Sequence, residues 1–164
     1  MSQNRPTPIS VRPPEDREVA LAERRDVGSW RDPDWQRLWL TVEKVPWHSL
    51  ALIPAGEGGP SDFTLALAVT LSRTGMSHVG GPIQVADGTQ VPLNQLNAFL
   101  ADVQSCTING QRVIVALPPA VSNPTAPAIA RSTDAAVLCV LLERMSSAQA
   151  QQTLKLVGAS HFLG

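Results

Sequence analysis

The stretch from Trp47 to Gly75 constrains this chain more than any other. It reads as a short buried strand (Ser49 to Ile53), a glycine-rich turn (Ala55 to Pro60) and a helix (Ser61 to Thr74). Gly75 is placed to stop that helix in the left-handed conformation that ends many helices. Strand, Gly-rich loop and helix make up the layout in which backbone N–H groups and a helix N-terminus hold a phosphate. The complete motif, G-x-x-x-x-G-K-S/T, needs a lysine before its final hydroxyl residue. Here Gly59 is followed by Pro60 and then Ser61. The scaffold of a nucleotide site is present and its central cation is missing.

The rest of the chain continues the alternation. Before the opening unit, Asp32 is placed to cap a helix, Pro33 fits its first position, and Asp34 suits the positive end of its dipole. Trp35, Leu38, Trp39 and Val42 then recur on one helical face. After it comes a short strand from Pro82 to Asp87, then an amphipathic helix from about Pro92 to Ser105 carrying Leu93, Leu96, Phe99, Leu100 and Val103. Arg112 to Leu117 is a continuous apolar run that suits a buried parallel strand. A proline-rich loop over 118–127 leads to a short helix from Ala128 to Thr133, and Ala135 to Leu142 is the strongest strand pattern. Ser146 and Gln149 form a capping box for a helix that ends at Gly158, and His161 to Gly164 begins one more strand. This order predicts an α/β fold, a mainly parallel sheet flanked by helices. Residues 1–28 read as a flexible tail, with a helical turn around Glu15 to Arg25, and residues 29–164 as a single domain.

Composition narrows the function. The net charge of -1 gives no reason to expect nucleic acid or an anionic membrane as a partner. Residues 1–44 hold 8 Lys+Arg and 8 Asp+Glu, while residues 45–164 hold 5 and 6. A body so poor in charge either has a small solvated face or hides surface against a partner. Cys106 and Cys139 read as separate reduced thiols, and His48, His78 and His161 lack the spacing of metal ligands. No metal or cofactor is expected. No apolar run is long enough to insert into a membrane, and the polar, proline-containing start does not read as a signal peptide. All four tryptophans (Trp30, Trp35, Trp39 and Trp47) fall within 18 residues. They form either the seam of a first helix on the sheet or a partner surface. Ser49, Ser61 and Ser122 have no His and Asp at the spacing of a hydrolase triad. Gly56-Glu57-Gly58 fails the dinucleotide pattern because Ser61 stands at its last glycine position.

Three segments carry a family resemblance. Gly56-Glu57-Gly58 through Gly75 is similar to a P-G-E-G-K-T-T loop and its helix. Val113-Ile-Val-Ala-Leu-Pro-Pro119 is similar to a V-I-I-D-T-P-P strand. Ser132 to Ser146 is similar to an A-D-G-V-L-L-V-V-x-x-x-x-T segment. From Asp34 to Gly164 the chain thus resembles the cytoplasmic ATPase domain of the bacterial tyrosine kinases of capsule and exopolysaccharide synthesis. That family belongs to the MinD/ParA-like group of P-loop ATPases. The resemblance implies a shortened P-loop fold with a vestigial phosphate loop at Gly56, Glu57, Gly58, Gly59 and Ser61. Asp87 is the one match to an acidic residue of the family's V-D-A-D motif, although an Asp before Gly88 serves a turn equally well.

The departures from the family set the expected function. Its phosphate-binding lysine aligns with Pro60 and its Mg²⁺-supporting aspartate with Ala116. The chain has no tyrosine, so the tail on which these kinases phosphorylate themselves has no counterpart. Proline removes an ammonium and a backbone N–H together, and two charge-assisted bonds at roughly 1.5–3 kcal/mol each amount to about two to four orders of magnitude in phosphate affinity. The expectation is a catalytically inactive pseudo-kinase or pseudo-ATPase, a scaffold or regulatory subunit of exopolysaccharide or capsule biosynthesis and export. The alternatives are an atypical nucleotide-binding ATPase and a MinD/ParA-like adapter in another cell-envelope or positioning system. The implied partner is a membrane-embedded chain-length regulator or kinase activator, or a second copy of the chain through the edge at His161–Gly164. The implied location is the cytoplasm, with recruitment to the inner membrane through that partner. Trp30, Trp35 and Trp39 are the candidate docking residues.

Overall fold

The computed structural model describes residues 30–163; the tail expected over residues 1–28 lies outside them. Four strands form one sheet: β1 (Ser49–Pro54), β2 (Ile83–Asp87), β3 (Arg112–Ala116) and β4 (Ala135–Cys139). All pairs are parallel, in the order β2-β3-β1-β4. The expected α/β architecture, a parallel sheet flanked by helices, is the one observed. β1 lies inside the sheet, where Leu52 pairs Ala116 on one side and Val137 on the other. Every residue of β1 is buried, as a strand covered on both faces requires.

Among the described residues five α-helices cover the sheet: α1 (Pro33–Val42), α2 (Phe63–Val79), α3 (Leu96–Ile108), α4 (Thr125–Ser132) and α5 (Ser147–Val157). Alternation along β1 divides the core in two. Leu50 and Leu52 pack with Trp39, Leu65, Val69 and Leu71, so α1 and α2 share one face. Ala51 and Ile53 pack with Phe99, Val103, Ile129 and Val157, so α3, α4 and α5 share the other. Helix α2 is buried along most of its length, and its hydroxyls find acceptors: Ser72 donates to the Ile83 carbonyl at 2.8 Å.

Two helix starts follow their local signals. Asp32 accepts the Asp34 N–H at 2.8 Å with Pro33 at the first position. Ser146 and Gln149 form the reciprocal capping box, and α5 ends before Gly158. Other boundaries differ from expectation. Helix α2 runs past Gly75 to Val79, and Gly80 is its left-handed cap (φ 69°), donating to the Met76 carbonyl at 3.0 Å. Gly75 is buried within the helix because Trp39 and Ile83 press on it. The helix expected from Pro92 begins as a 3-10 turn, Leu93–Gln95, before α3. Helix α4 starts at Thr125, three residues before the expected Ala128. Pro127 sits in its first turn, where no N–H is needed. β4 ends at Cys139, not Leu142, because β1 ends opposite it: Pro54 pairs Cys139, and the Ala55 N–H donates to the Cys139 carbonyl at 2.8 Å. The strand expected at His161–Gly164 is a 3-10 turn, Ala159–His161, followed by a single parallel bridge of Phe162 to Ala136.

Candidate functional site

β1 and β3 are adjacent and parallel, so their C-terminal ends open on the same side. The chain leaving β1 enters α2 on one face of the sheet, and the chain leaving β3 enters α4 on the other. Adjacent strands whose connections part in this way leave a crevice between them, the usual ligand position in open α/β sheets. A cleft of about 270 Å³ occupies that place. Gly56, Glu57, Gly58, Gly59, Pro60 and Ser61 form one wall, with Phe63 and Thr64 of α2 behind them. Leu117, Pro118, Pro119 and Ser122 form the other wall, and Met145 closes one end. The whole predicted loop is therefore gathered at one site.

Its chemistry departs from that of a phosphate site in four ways. Among the described residues no lysine or arginine lines the cleft, and its one charged lining residue is Glu57, exposed at the rim. Asp62, the N-cap of α2, sets a second carboxylate at the positive end of that helix, where a phosphate would be attracted. The Thr64 hydroxyl donates to the Leu117 carbonyl at 2.7 Å, which ties the two walls together and leaves that hydroxyl committed. Ala116 is fully buried, and its carbonyl accepts the Gly88 N–H at 2.8 Å, so the metal-side position is closed off by backbone. The residues present do not fit a Mg²⁺–triphosphate group.

The glycines have a packing role of their own. Gly58 holds φ 110°, and a Cβ there would stand 2.8 Å from the Arg144 carbonyl oxygen. A Cβ on Gly56 would stand 2.7 Å from the Gln149 side chain, which the capping box fixes in place. Thr153 Oγ1 donates to the Ala55 carbonyl at 3.0 Å. The loop is thus seated against α5 and the segment leading into it. The N–H groups of Gly56, Glu57, Gly58, Gly59 and Ser61 make no hydrogen bond to any described residue. Thr64 and Met145 carry no sequence motif; only the fold brings them to the cleft.

The remaining predicted residues lie elsewhere. Asp87 ends β2, two strands from β1, and accepts from the Thr89 N–H at 3.0 Å and the Thr89 hydroxyl at 2.6 Å. It behaves as a turn former and does not line the cleft. The tryptophans gather around α1 and the far half of α2. Trp39 is 1% exposed and meets Trp47 edge to face at 5.9 Å, so it offers a partner no surface and belongs to the core. Trp35 is half-buried against the same cluster. Trp30 is also partly exposed, with Arg31 stacked 4.7 Å from its ring centroid.

At the opposite end of the sheet the fold unites Ser49 and Asp134, which no motif links. One oxygen of Asp134 accepts the His48 N–H at 2.7 Å, the Ser49 N–H at 2.8 Å and the Ser49 hydroxyl at 3.1 Å. Burial alone would raise the Asp134 carboxyl, but these bonds, with the His48 side chain, hold it below its ordinary value. A nucleophilic serine donates to an imidazole; here Ser49 donates straight to the carboxylate, so the group is a clamp between the starts of β1 and β4. Cys139 is buried, and burial pushes its thiol up to about 12. Among the described residues no group of His, Cys, Asp and Glu side chains is arranged to hold a metal, and no helix is long and apolar enough to cross a membrane. No protein-family model matches the chain, and no curated protein matches it.

Proposed function

We propose that this chain is a catalytically inactive pseudo-ATPase, a shortened MinD/ParA-like relative of the bacterial tyrosine kinases of capsule and exopolysaccharide synthesis. In this reading it serves as a scaffold or regulatory subunit of that synthesis and export. The observation that carries the reading is the cleft itself: it lies where a phosphate loop would, with Pro60 at the position the resemblance gives to the lysine and Glu57 as its one charged lining residue among the described residues. Phosphoryl transfer is almost wholly positioning and charge neutralisation. A cleft whose one charged lining residue, among the described residues, is Glu57 supplies no such neutralisation. The fold stands without the chemistry because the loop is seated on α5 through Thr153 and Gln149, and Thr64 ties α2 to the segment after β3.

Binding is then the retained role. The partner of this reading is the cytoplasmic segment of a membrane-embedded chain-length regulator, which would recruit the protein to the inner membrane from the cytoplasm. Trp30 and Trp35 supply partly exposed aromatic area for it. Calorimetry with Mg·ATP is the direct test. No binding tighter than roughly millimolar is expected, since two charge-assisted bonds are missing. Micromolar affinity would overturn the proposal. Pro60→Lys alone should not create turnover, because Ala116 still leaves the metal side without a carboxylate. The second reading, an atypical nucleotide-binding protein, is favoured by one observation: the five loop N–H groups without an acceptor among the described residues.

A further inference from the structure

We propose that copies of this chain associate head to tail, with Leu142 of one copy seated in the groove between α4 and α5 of the next. Leu142 and the α4 and α5 side chains of that groove do not line the cleft, so the inference stands whether or not nucleotide binds there.

The projecting side chain comes from the connection between β4 and α5, which runs from the end of β4 at Cys139 to the start of α5 at Ser147. Within it Glu143 holds φ 67°, the one positive value outside glycine among the described residues. L-residues avoid that conformation, and a turn that keeps one is over-determined by its surroundings. Here the Leu141 carbonyl accepts the Arg144 N–H at 3.3 Å and the Met145 N–H at 3.1 Å, while the Leu141 and Met145 side chains lie against Gly59. With those two turned inward, Leu142 is turned out and is 85% exposed. Val140 beside it is exposed as well. A leucine presented on a turn held by its own hydrogen bonds gives up little freedom on docking, which suits it to anchor a contact.

The receiving surface is built from α4, α5 and the loop before α4. Val121, Pro124, Pro127 and Leu156 give a groove of about 410 Å³ its apolar lining, and Arg131 is its one charged lining residue among the described residues. Val121 and Leu156 are both exposed there. Charge selects the occupant. Glu143 follows Leu142 directly, and neither the Glu143 nor the Arg131 side chain forms an ion pair with a described residue. Leu142 seated against Val121 and Leu156 sets Glu143 within reach of Arg131, and no carboxylate lines the groove to oppose it. Leu142 is too exposed to sit in the groove of its own chain, so the occupant is a second copy. Projection and groove are different surfaces, so the contact is heterologous and leaves one of each free for further copies. A contact built on one anchor is small, and a micromolar dissociation constant is expected.

Sedimentation velocity on the full chain, from micromolar to near-millimolar concentration, tests the contact. The wild type is expected to move from monomer toward larger species as concentration rises. Leu142→Asp and Arg131→Glu, both at exposed positions, should each weaken association at least about tenfold while keeping the wild-type circular dichroism and melting temperature. Should Leu142→Asp fail to fold, Leu142→Ser takes its place with the same expectation. Mixing the two variants is the decisive step. Leu142→Asp keeps an intact groove and Arg131→Glu an intact projection, so together they should form a heterodimer that grows no further. Glu143→Arg should weaken association in the same way, and Glu143→Arg combined with Arg131→Glu should recover most of it. A wild type that stays monomeric across the whole range overturns the proposal. Association that survives the loss of Leu142 overturns it as well, because the contact then lies elsewhere, and so does a mixture of the two variants that stays monomeric.

Discussion

Gly75→Ala is the substitution whose outcome separates packing from helix propensity. In an exposed helix interior, alanine in place of glycine stabilises by about 1 kcal/mol. Gly75 is buried near the middle of α2, and a Cβ added there would overlap Cη2 and Cζ3 of Trp39 and lie 2.5 Å from Cδ1 of Ile83. Both neighbours would have to shift. Trp39 is edge-on against Trp47, and Trp47 is fixed by its Nε1–H donating to the Val42 carbonyl at 3.1 Å. Ile83 is 2% exposed and paired into the sheet opposite Arg112. Overpacking of this kind costs about 1–3 kcal/mol, and two rigid neighbours place it at the upper end. After the propensity gain, a net loss of about 2 kcal/mol is expected. With a urea m-value of about 2 kcal/mol/M, the midpoint falls by about 1 M at unchanged slope. Tryptophan fluorescence reads the transition directly. Trp39→Leu opens the space, so the double variant should lose at least about 1 kcal/mol less than the sum of the two single losses. A higher midpoint for Gly75→Ala, or strict additivity with Trp39→Leu, would refute the reasoning.

Asp134→Asn should destabilise the fold by about 1–2 kcal/mol at neutral pH, through weakened bonds to the N–H groups of His48 and Ser49. Because the folded carboxyl is held below its ordinary value, its contribution is full above the unfolded value near ~4 and is lost as pH falls through the lower folded one. Acid titration of stability should therefore be flatter in the variant than in the wild type, and parallel curves would count against the clamp. Thiol alkylation followed by mass spectrometry at pH 8 should label Cys106 slowly, since burial and the Asp102 charge both raise it, and should spare Cys139 until the protein unfolds. Equal labelling rates for the two would contradict the buried placement of Cys139. Trp30→Ala should leave thermal stability nearly unchanged and weaken capture by the cytoplasmic segment of the proposed membrane partner. Undiminished capture removes Trp30 as an anchor.

Features decided within a few residues were legible in the sequence. Asp32-Pro33-Asp34 and Ser146 with Gln149 satisfy helix N–H groups locally, so their spacing announces both helices. The apolar runs of β1 and β3 likewise identify buried parallel strands. Boundaries set by a neighbour were not legible. Gly75 and Gly80 are equally good local stops, and the choice falls to Gly80 because α1 needs a flat place on α2 for Trp39. The apolar run after Ala135 continues to Leu142, yet Leu142 is 85% exposed because the ladder ends with Pro54 and Ala55. At the cleft, the missing lysine is read from Pro60 alone. The second carboxylate at Asp62 depends on where α2 begins, and the commitment of Thr64 to Leu117 depends on a contact across 53 residues.

The position of β1 inside a wholly parallel sheet has a consequence for how this chain is made. Neither of its neighbours is adjacent in sequence: β3 begins 58 residues after Pro54, and β4 later still. On a ribosome adding roughly 5–20 residues per second, β1 leaves synthesis about 3–12 s before its first pairing strand exists. For that interval a strand apolar from Leu50 to Pro54 has N–H and C=O groups and no ladder to place them in. The nascent protein therefore presents its future centre to the cell before it can hide it, and early chains ending before Arg112 should be the ones that chaperones hold.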